Sequence, residues 1–497
     1  MARHAAASRQ ALAISAGHFG GNESPGRNLL VFERKAGMTN NQPLRFDKGT
    51  LLLESQPPAD LASYWRWDKR AEAWRCDALH YPEVEQCLKE ASPAYSVNIP
   101  RRVKVIWPRA NLPPLRNDQE SALQAWMKTR RGVLVMPTGT GKTVVALHIM
   151  QLLSVSTLVV SPVRDLMYQW HQRIQDGLGC DAGIIGDNTF NKQPVSVTTY
   201  DSACIHMPDL GDEFELLIFD ECHHLPGPVR SDAARMSVAP YRLGLTATPE
   251  RSDGREAALD SLIGPIVFRY PLSEAKGRIL ADYEVKRIPV YLTVEEQAAY
   301  DRYSSVIRHF MSEQHKTDPN YSFVELRKEY AKSAEARRVL QAFYAKESIE
   351  DRAREKLRVL EDLFRLHQGQ RILVFTKTNV MAREVSLRFL IPSLLHHCRK
   401  KERKDILDGF RGGRHAAIVA NQVLDEGVDL PEAKIAVVLG GLASVKQAKQ
   451  RLGRILRKRG EERAILYEVV CNDTKEVERS RQRRRSDAYE GTRHFHI

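Results

Sequence analysis

The sequence predicts an α/β protein of two lobes, each a parallel sheet covered by helices, with a small α+β domain ahead of them and a helical insertion between them. Three observations carry this. From about Leu115, short Val/Ile/Leu runs alternate with longer amphipathic stretches, the pattern of strands joined by crossover helices. That alternation stops and then resumes beyond residue 350. Between the two arrays, residues 296 to about 350 are charged and helix-forming, with Tyr300, Tyr303, Phe310 and Phe343 among the few large apolar groups.

In chain order, residues 1–42 are rich in Ala, Ser and Gly without a sustained period, so they predict a disordered arm that buries no core. Met38, just ahead of the first patterned segment, is a candidate natural start. Residues 43–110 form the small domain, opening with a turn at Asp47-Lys-Gly49 and a strand at 50–53. Tyr64-Trp-Arg-Trp67 and Trp74-Arg75 set tryptophans beside arginines, a pattern of base-stacking platforms that a tryptophan-rich small core explains more simply. Prolines 100, 108, 113 and 114 mark the exit. The first lobe, 111–290, has candidate strands at 132–135, 157–160, 195–199, 216–219 and 242–245. The insertion spans 291–350. The second lobe, 351–475, starts with a helix whose apolar face carries Leu357, Leu360 and Phe364, followed by strands at 371–375, 416–419, 434–439 and 464–469. Residues 476–497, with Arg479-Ser-Arg-Gln-Arg-Arg-Arg485, read as a solvated basic tail.

Composition narrows the partners. Lysine and arginine (75) exceed aspartate and glutamate (62) by 13, an excess that favours polyanions, nucleic acid being the commonest. The 7 cysteines include no CxxC pair, which argues against a zinc ribbon or iron–sulfur site and fits a reduced intracellular protein. Cys222-His-His224 and His396-His-Cys398 read as structural rather than metal-binding. No run approaches eighteen apolar residues, so no membrane span is expected, and the chain is expected to be cytoplasmic and nucleoid-associated.

The chemistry sits at two strand exits, where open α/β sheets form their ligand crevice. Met136-Pro-Thr-Gly-Thr-Gly-Lys-Thr143 follows one strand, and its glycines let a helix start near Gly141 with N–H groups facing anionic oxygens. Lys142 then neutralises the outer phosphates of a nucleoside triphosphate, and the Thr143 hydroxyl suits a bridging magnesium ion. Asp220 ends the apolar run 216–219, and its carboxylate emerges beside this loop if the two strands are neighbours, holding magnesium through its water shell. Glu221 is the candidate for orienting and deprotonating the attacking water. ATP and Mg2+ are the expected cofactors.

These two segments, followed in order by Leu243-Gly-Leu-Thr-Ala-Thr-Pro249, Val423-Leu-Asp-Glu-Gly-Val-Asp-Leu-Pro431 and Gln447-Ala-Lys-Gln-Arg-Leu-Gly-Arg-Ile-Leu-Arg457, resemble the motifs of superfamily 2 DExH-box helicases, and within them the XPB-like DNA helicases. The small domain is similar to the damage-recognition domain of microbial XPB-like proteins. The resemblance implies two tandem RecA-like P-loop lobes and an ATP-dependent DNA helicase or translocase of 3′-to-5′ polarity in DNA repair. A duplex translocase that does not separate strands, an RNA helicase and a damage-binding module with an ATPase switch are the competing readings.

Residue by residue, the resemblance implies that Arg116 and Gln119 read adenine, and that Thr138, Gly139, Thr140, Gly141, Lys142 and Thr143 cradle the phosphates. Gly427 and Asp429 approach the nucleotide from the second lobe. His223 completes the DExH segment. Gln450 reports the γ-phosphate, and Arg454 and Arg457, three apart on one helix face, act as arginine fingers. Arg164, Thr199, Ser202 and Lys377 hold nucleic-acid phosphates, with Thr246 and Thr248 linking that track to the nucleotide site. A single DNA strand or fork, and a nuclease, are the implied partners of a monomer. Three departures stand out: Met136 at the head of the loop, Arg251-Ser-Asp253 in place of Arg-Glu-Asp, and Leu115-Arg-Asn-Asp-Gln119 without the usual proline and tyrosine.

Overall fold

The computed structural model describes residues 42–91, 95–99, 104–107, 109–251, 253–271, 274, 283–395, 397–421, 433–440 and 464–484. The arm expected over 1–42 lies outside them except for its last residue, as does Met38.

Strands β1 (Gln42–Asp47) and β2 (Thr50–Leu53) form a hairpin around Lys48 and Gly49, both with positive φ, as a tight two-residue turn demands. With β3 (Arg66–Asp68), β4 (Ala73–Asp77) and β5 (Tyr95–Asn98) they build a sheet of order β3-β4-β2-β1-β5, in which β5 alone runs parallel to its neighbour. Helix α1 (Tyr81–Ala91) places Tyr81, Val84 and Leu88 on one face, and these pack with Leu44, Leu51 and Leu53. The tryptophans divide between the two readings: Trp65 is in this core, whereas Trp67 is 47% exposed and meets Trp74 edge-on at 5.5 Å. Val238 of the first lobe joins the same core, and Gly49 lies against Met236, so the small domain is docked on that lobe.

The first lobe comprises β6 (Arg131–Val135), β7 (Thr157–Ser161), β8 (Gly183–Gly186), β9 (Thr189–Asn191), β10 (Val195–Thr199), β11 (Leu216–Asp220), β12 (Tyr241–Thr246) and β13 (Ile266–Arg269). Their order is β13-β6-β12-β11-β7-β10-β8-β9, parallel except at β9. Every residue of β7, β10 and β11 is buried, because helices cover both faces of a parallel sheet.

The second sheet holds β14 (Tyr283–Val290), β15 (Ile372–Thr376), β16 (Ser393–Leu394), β17 (Ala417–Ala420), β18 (Ile435–Leu439) and β19 (Ala464–Cys471), in the order β14-β19-β18-β15-β17-β16 and parallel throughout. This corrects the lobe boundary expected at 290. Strand β14 pairs with β19 from Tyr283↔Ala464 to Val290↔Cys471 and so belongs to the second lobe. As an edge strand bearing Lys286, Arg287 and Pro289, it lacks the apolar run that marks a central strand.

Helices Val294–Thr317, Phe323–Glu329 and Ala334–Asp351 form the insertion, with a core of Ile307, Phe310, Tyr321, Leu326, Val339 and Leu340. Thr293 with Glu296 and Ser322 with Glu325 close capping boxes on the first two. The basic tail also needs correction, because Lys475–Arg484 is a helix whose Glu476 and Ser480, one turn apart, are buried. Glu476 pairs at 2.8 Å with Lys356, itself fully buried in the helix Arg354–Leu366, and accepts the Cys471 amide at 2.8 Å. Arg479 pairs with Glu350 and, at 3.3 Å, with Glu347. Lys356→Met leaves Glu476 buried without its counter-charge, so the second lobe is expected to lose about 3–5 kcal/mol in urea unfolding. A loss under about 1 kcal/mol contradicts this reading of the pair.

No helix among the described residues is long and apolar enough to cross a membrane.

Candidate active site

Strand β6 ends at Val135, and the chain turns into α3 (Lys142–Leu153) through a loop in which Gly139 and Gly141 take positive φ. At Gly141 the requirement is double, since a Cβ there would also run into Gln119 Nε2. Helix α3 therefore opens its first N–H groups to the cleft. Met136 is fully buried in the lobe core, and its amide donates to the Thr246 carbonyl at 2.9 Å, which accounts for an apolar residue at the head of the loop. Lys142 Nζ donates to the Met136 carbonyl at 3.1 Å. From α2 (Asn117–Thr129) and its N-cap, Gln119 Nε2 and Arg116 Nη2 donate to the Thr140 carbonyl at 3.0 and 2.5 Å, bracing the loop. The Thr140 hydroxyl is turned inward and donates to the Pro137 carbonyl at 2.7 Å.

Strands β6 and β11 are not neighbours, because β12 lies between them. Asp220 thus stands about 10 Å across the sheet from the exit of β6, two strand spacings away. The loop and the carboxylates still share a cleft of about 610 Å³, lined among others by Thr138, Lys142, Thr143, Arg173, Asp220 and Glu221. Arg173 donates to the Thr143 hydroxyl at 2.9 Å. Hydroxyl and carboxylate oxygens at one cleft form the hard donor set that suits Mg2+.

Asp220 accepts from Trp170 Nε1 at 2.8 Å and from the Glu221 amide at 3.0 Å. Burial, and then the adjacent Glu221 charge, push its carboxyl up to about 6, against the pull of Trp170 and Lys142. Trp170 escaped the sequence reading because it sits on the apolar face of α4 (Arg164–Leu178) with Met167 and Ile174, where it looks like core and nothing more. Trp170→Phe keeps the packing and removes a hydrogen bond to a charged group, so turnover is expected to fall about 10-fold. Unchanged kcat and KM would assign Trp170 to packing alone.

Glu221 adopts φ 47°, ψ 54°, a left-handed conformation uncommon for a side chain without a short polar group. Its Oε2 is buried, accepts no hydrogen bond among the described residues, and lies 3.4 Å from His223 Nδ1. His223 Nδ1 also contacts the Thr246 hydroxyl at 3.0 Å, and that hydroxyl donates to the Thr248 carbonyl at 3.0 Å. Thr246 and Thr248 are 0% and 1% exposed, so in this conformation they face inward, where a link between the nucleotide site and the nucleic-acid track is expected to run, rather than offering hydroxyls to solvent. Arg251 grips Asp253 with two 2.7 Å bonds and donates to the His223 carbonyl, tying the departed triplet to the DExH segment.

Of the remaining residues, Thr199 caps α5 (Tyr200–Leu210) by accepting the Ser202 amide at 3.3 Å. Arg164 binds Asp187 at 2.5 Å in the β8–β9 turn, and Gly186 at the end of β8 lies against Ser202, so all three converge on one edge of the lobe. Lys377 is held by Glu347 of the insertion at 2.9 Å. Gly427, Asp429, Gln450, Arg454 and Arg457 lie outside the described residues.

Three family models match in chain order: the Xeroderma pigmentosum group B helicase damage recognition domain over residues 44–96, the type III restriction enzyme res subunit over 112–251, and the ERCC3/RAD25/XPB C-terminal helicase over 325–491. The chain is 39% identical over 442 residues to the DNA 3′-5′ translocase XPB2 of Sulfurisphaera tokodaii, covering 89% of this chain and 99% of that one. It is 29% identical over 393 residues to the DNA 3′-5′ helicase XPB of Mycobacterium tuberculosis, covering 76% of this chain and 64% of that one. Among solved structures, the Pyrococcus furiosus Hef helicase domain aligns with a TM-score of 0.51 at 16% identity, over 72% of this chain and 96% of that one. Saccharomyces cerevisiae Dbp5 bound to RNA and ADP BeF3 aligns with a TM-score of 0.53 at 16% identity, over 77% and 89%. Those two likenesses bear on the fold alone, which is that of tandem RecA-like lobes. With a 39% identical relative matched over nearly its whole length and XPB-specific models matching both the small domain and the second lobe, this chain belongs to the XPB helicase family.

Proposed function

We propose that this chain is an ATP-driven DNA translocase and helicase of 3′-to-5′ polarity that serves DNA repair. The observation that carries the reading is the convergence of Lys142, Thr143, Asp220 and Glu221 on one cleft, from which contacts run through His223 to Thr246 and Thr248.

In this account the phosphates of ATP draw Lys142 Nζ from the Met136 carbonyl and take the N–H groups at the start of α3. Asp220 and the Thr143 hydroxyl, released from Arg173, would hold Mg2+, which would supply counter-charge for the phosphates. Glu221 accepts a proton from the attacking water as the bond from the γ-phosphorus to the bridging oxygen breaks, and ADP leaves with that oxygen. Arg454, Arg457 and Gln450 complete the site from the second lobe on closure, with Gly427 and Asp429 beside the nucleotide. His223 exchanges partners between Glu221 and Thr246, so the occupant of the cleft is felt at the third motif.

The DNA phosphates are held by Arg164, Thr199 and Ser202 on the first lobe and by Lys377 once it leaves Glu347, contacts that position without reading sequence. The excess of 13 positive charges supports a polyanionic track. The exposed Trp67, with Arg66 and Arg70 nearby in sequence, supports a damage-sensing role for the small domain. We further propose a monomer acting at the nucleoid with a nuclease as partner, as the family resemblance implies.

Fork unwinding on DNA and RNA substrates, with ATP turnover measured in parallel, tests the reading. DNA-stimulated turnover with strand release on DNA is expected. Stimulation without release leaves the duplex translocase, and stimulation by RNA alone overturns the DNA assignment.

A further inference from the structure

We propose that Tyr270 is a positioning residue that couples movement of the second lobe to the phosphate loop. It follows directly on β13, the edge strand beside β6, at the point where the chain leaves the first lobe for β14. Two different parts of the residue are engaged by two different bodies.

The backbone belongs to the first lobe. The Tyr270 amide donates to the Val135 carbonyl at 2.8 Å, extending the β13–β6 ladder by one bond past the Arg269↔Val135 pair. Val135 is the last residue before the loop, and its successor Met136 supplies the carbonyl that holds Lys142 Nζ. The side chain is shared. It packs against the first-lobe cluster containing Leu134, Met136 and Leu245, and also against the second-lobe cluster containing Val285, Leu373, Phe375 and Leu394. Among the described residues, no other packs on the hydrophobic clusters of both lobes. The phenol hydroxyl donates to the Glu274 carbonyl at 3.3 Å, so removing it alone separates its part from that of the ring.

A rigid ring caught between two cores follows the second lobe when the lobes move, because close-packed interiors shift between discrete arrangements rather than deform smoothly. Its amide transmits that displacement to the exit of β6. There a small change decides whether Lys142 stays on the Met136 carbonyl or turns to the phosphates. Another tie between the lobes among the described residues, Arg403 to Asp165 at 3.1 Å, is polar and partly exposed. It is weakened by salt, whereas the Tyr270 contact is not.

The inference rests on the reading of the cleft as the ATP site, and the experiment separates the two. ATP turnover is measured with and without single-stranded DNA for the wild type, Tyr270→Ala and Tyr270→Phe, with KM for ATP in each case. Tyr270→Ala is expected to lose about 10-fold of the ratio of DNA-stimulated to unstimulated turnover, with kcat in DNA falling and KM within about 2-fold. Tyr270→Phe keeps the ring and is expected to restore the ratio. Tyr270→Leu, which preserves apolar volume, serves where the alanine variant unfolds, and it is expected to lose part of the ratio. A full ratio in Tyr270→Ala, or in Tyr270→Leu when that stands in for it, overturns the coupling while leaving the ATP site intact, and so does a parallel rise in KM, the mark of a loosened fold. A wild type that turns over no ATP overturns the site assignment and the coupling with it.

Discussion

Glu221→Gln is expected to bind Mg-ATP with affinity close to that of the wild type and to turn it over about 10²–10⁴-fold more slowly. The two halves of the result come from different atoms. Affinity resides in the loop N–H groups, Lys142 and Thr143, none of which touches the altered group. Turnover needs an acceptor for the proton of the attacking water, and Glu221 lines the cleft with a carboxylate oxygen that accepts no hydrogen bond among the described residues. Glutamine fills the same volume and accepts no proton at neutral pH. A fluorescent ATP analogue for binding and a phosphate-release assay for turnover separate the two, and near-normal turnover would place the general base elsewhere.

Lys142→Met is expected to lose both properties, with turnover down about 10²–10³-fold and nucleotide affinity falling alongside it. The lysine is almost fully buried, and its ammonium rests on the Met136 carbonyl beside Asp220 and Glu221. Methionine preserves the apolar stem that helps seat α3, so the fold survives while the charge that meets the outer phosphates is gone. Nucleotide affinity equal to that of the wild type contradicts the role given to Lys142. The pair of variants is more informative than either alone, since one separates binding from chemistry and the other removes both.

What the sequence made legible follows from burial on both faces of a sheet. Strands β7, β10 and β11 are buried along their whole length; β7 and β11 print apolar runs at 158–160 and 216–219, and β10 is marked by its β-branched valines and threonines. The edge strands β13 and β14 are partly exposed, and β8 with β9 is a short glycine-flanked hairpin, so none of them carries that signal. The end of the chain misled for a different reason. Arg479 and its neighbours look like a solvated basic run until Glu347 and Glu350, some 130 residues earlier, are brought alongside.

The same division runs through the site. The loop 136–143 and Asp220-Glu221-Cys222-His223 are local, and each could be read where it stands. The hydrogen bond from Trp170 to Asp220 spans 50 residues and has no sequence mark. Lys377 reads as a free cation, yet Glu347 neutralises it across the fold. Thr246 meets His223 as a link between the nucleotide site and the nucleic-acid track requires, and Thr248 joins through its carbonyl, which no sequence pattern marks.

Release of streptavidin from biotinylated single-stranded DNA, followed with Mg-ATP present and absent, tests directed movement most directly. Movement from 3′ to 5′ predicts ATP-dependent release from a 5′ biotin and background release from a 3′ biotin. Preferential release from the 3′ end, or no dependence on ATP at either end, would contradict the account.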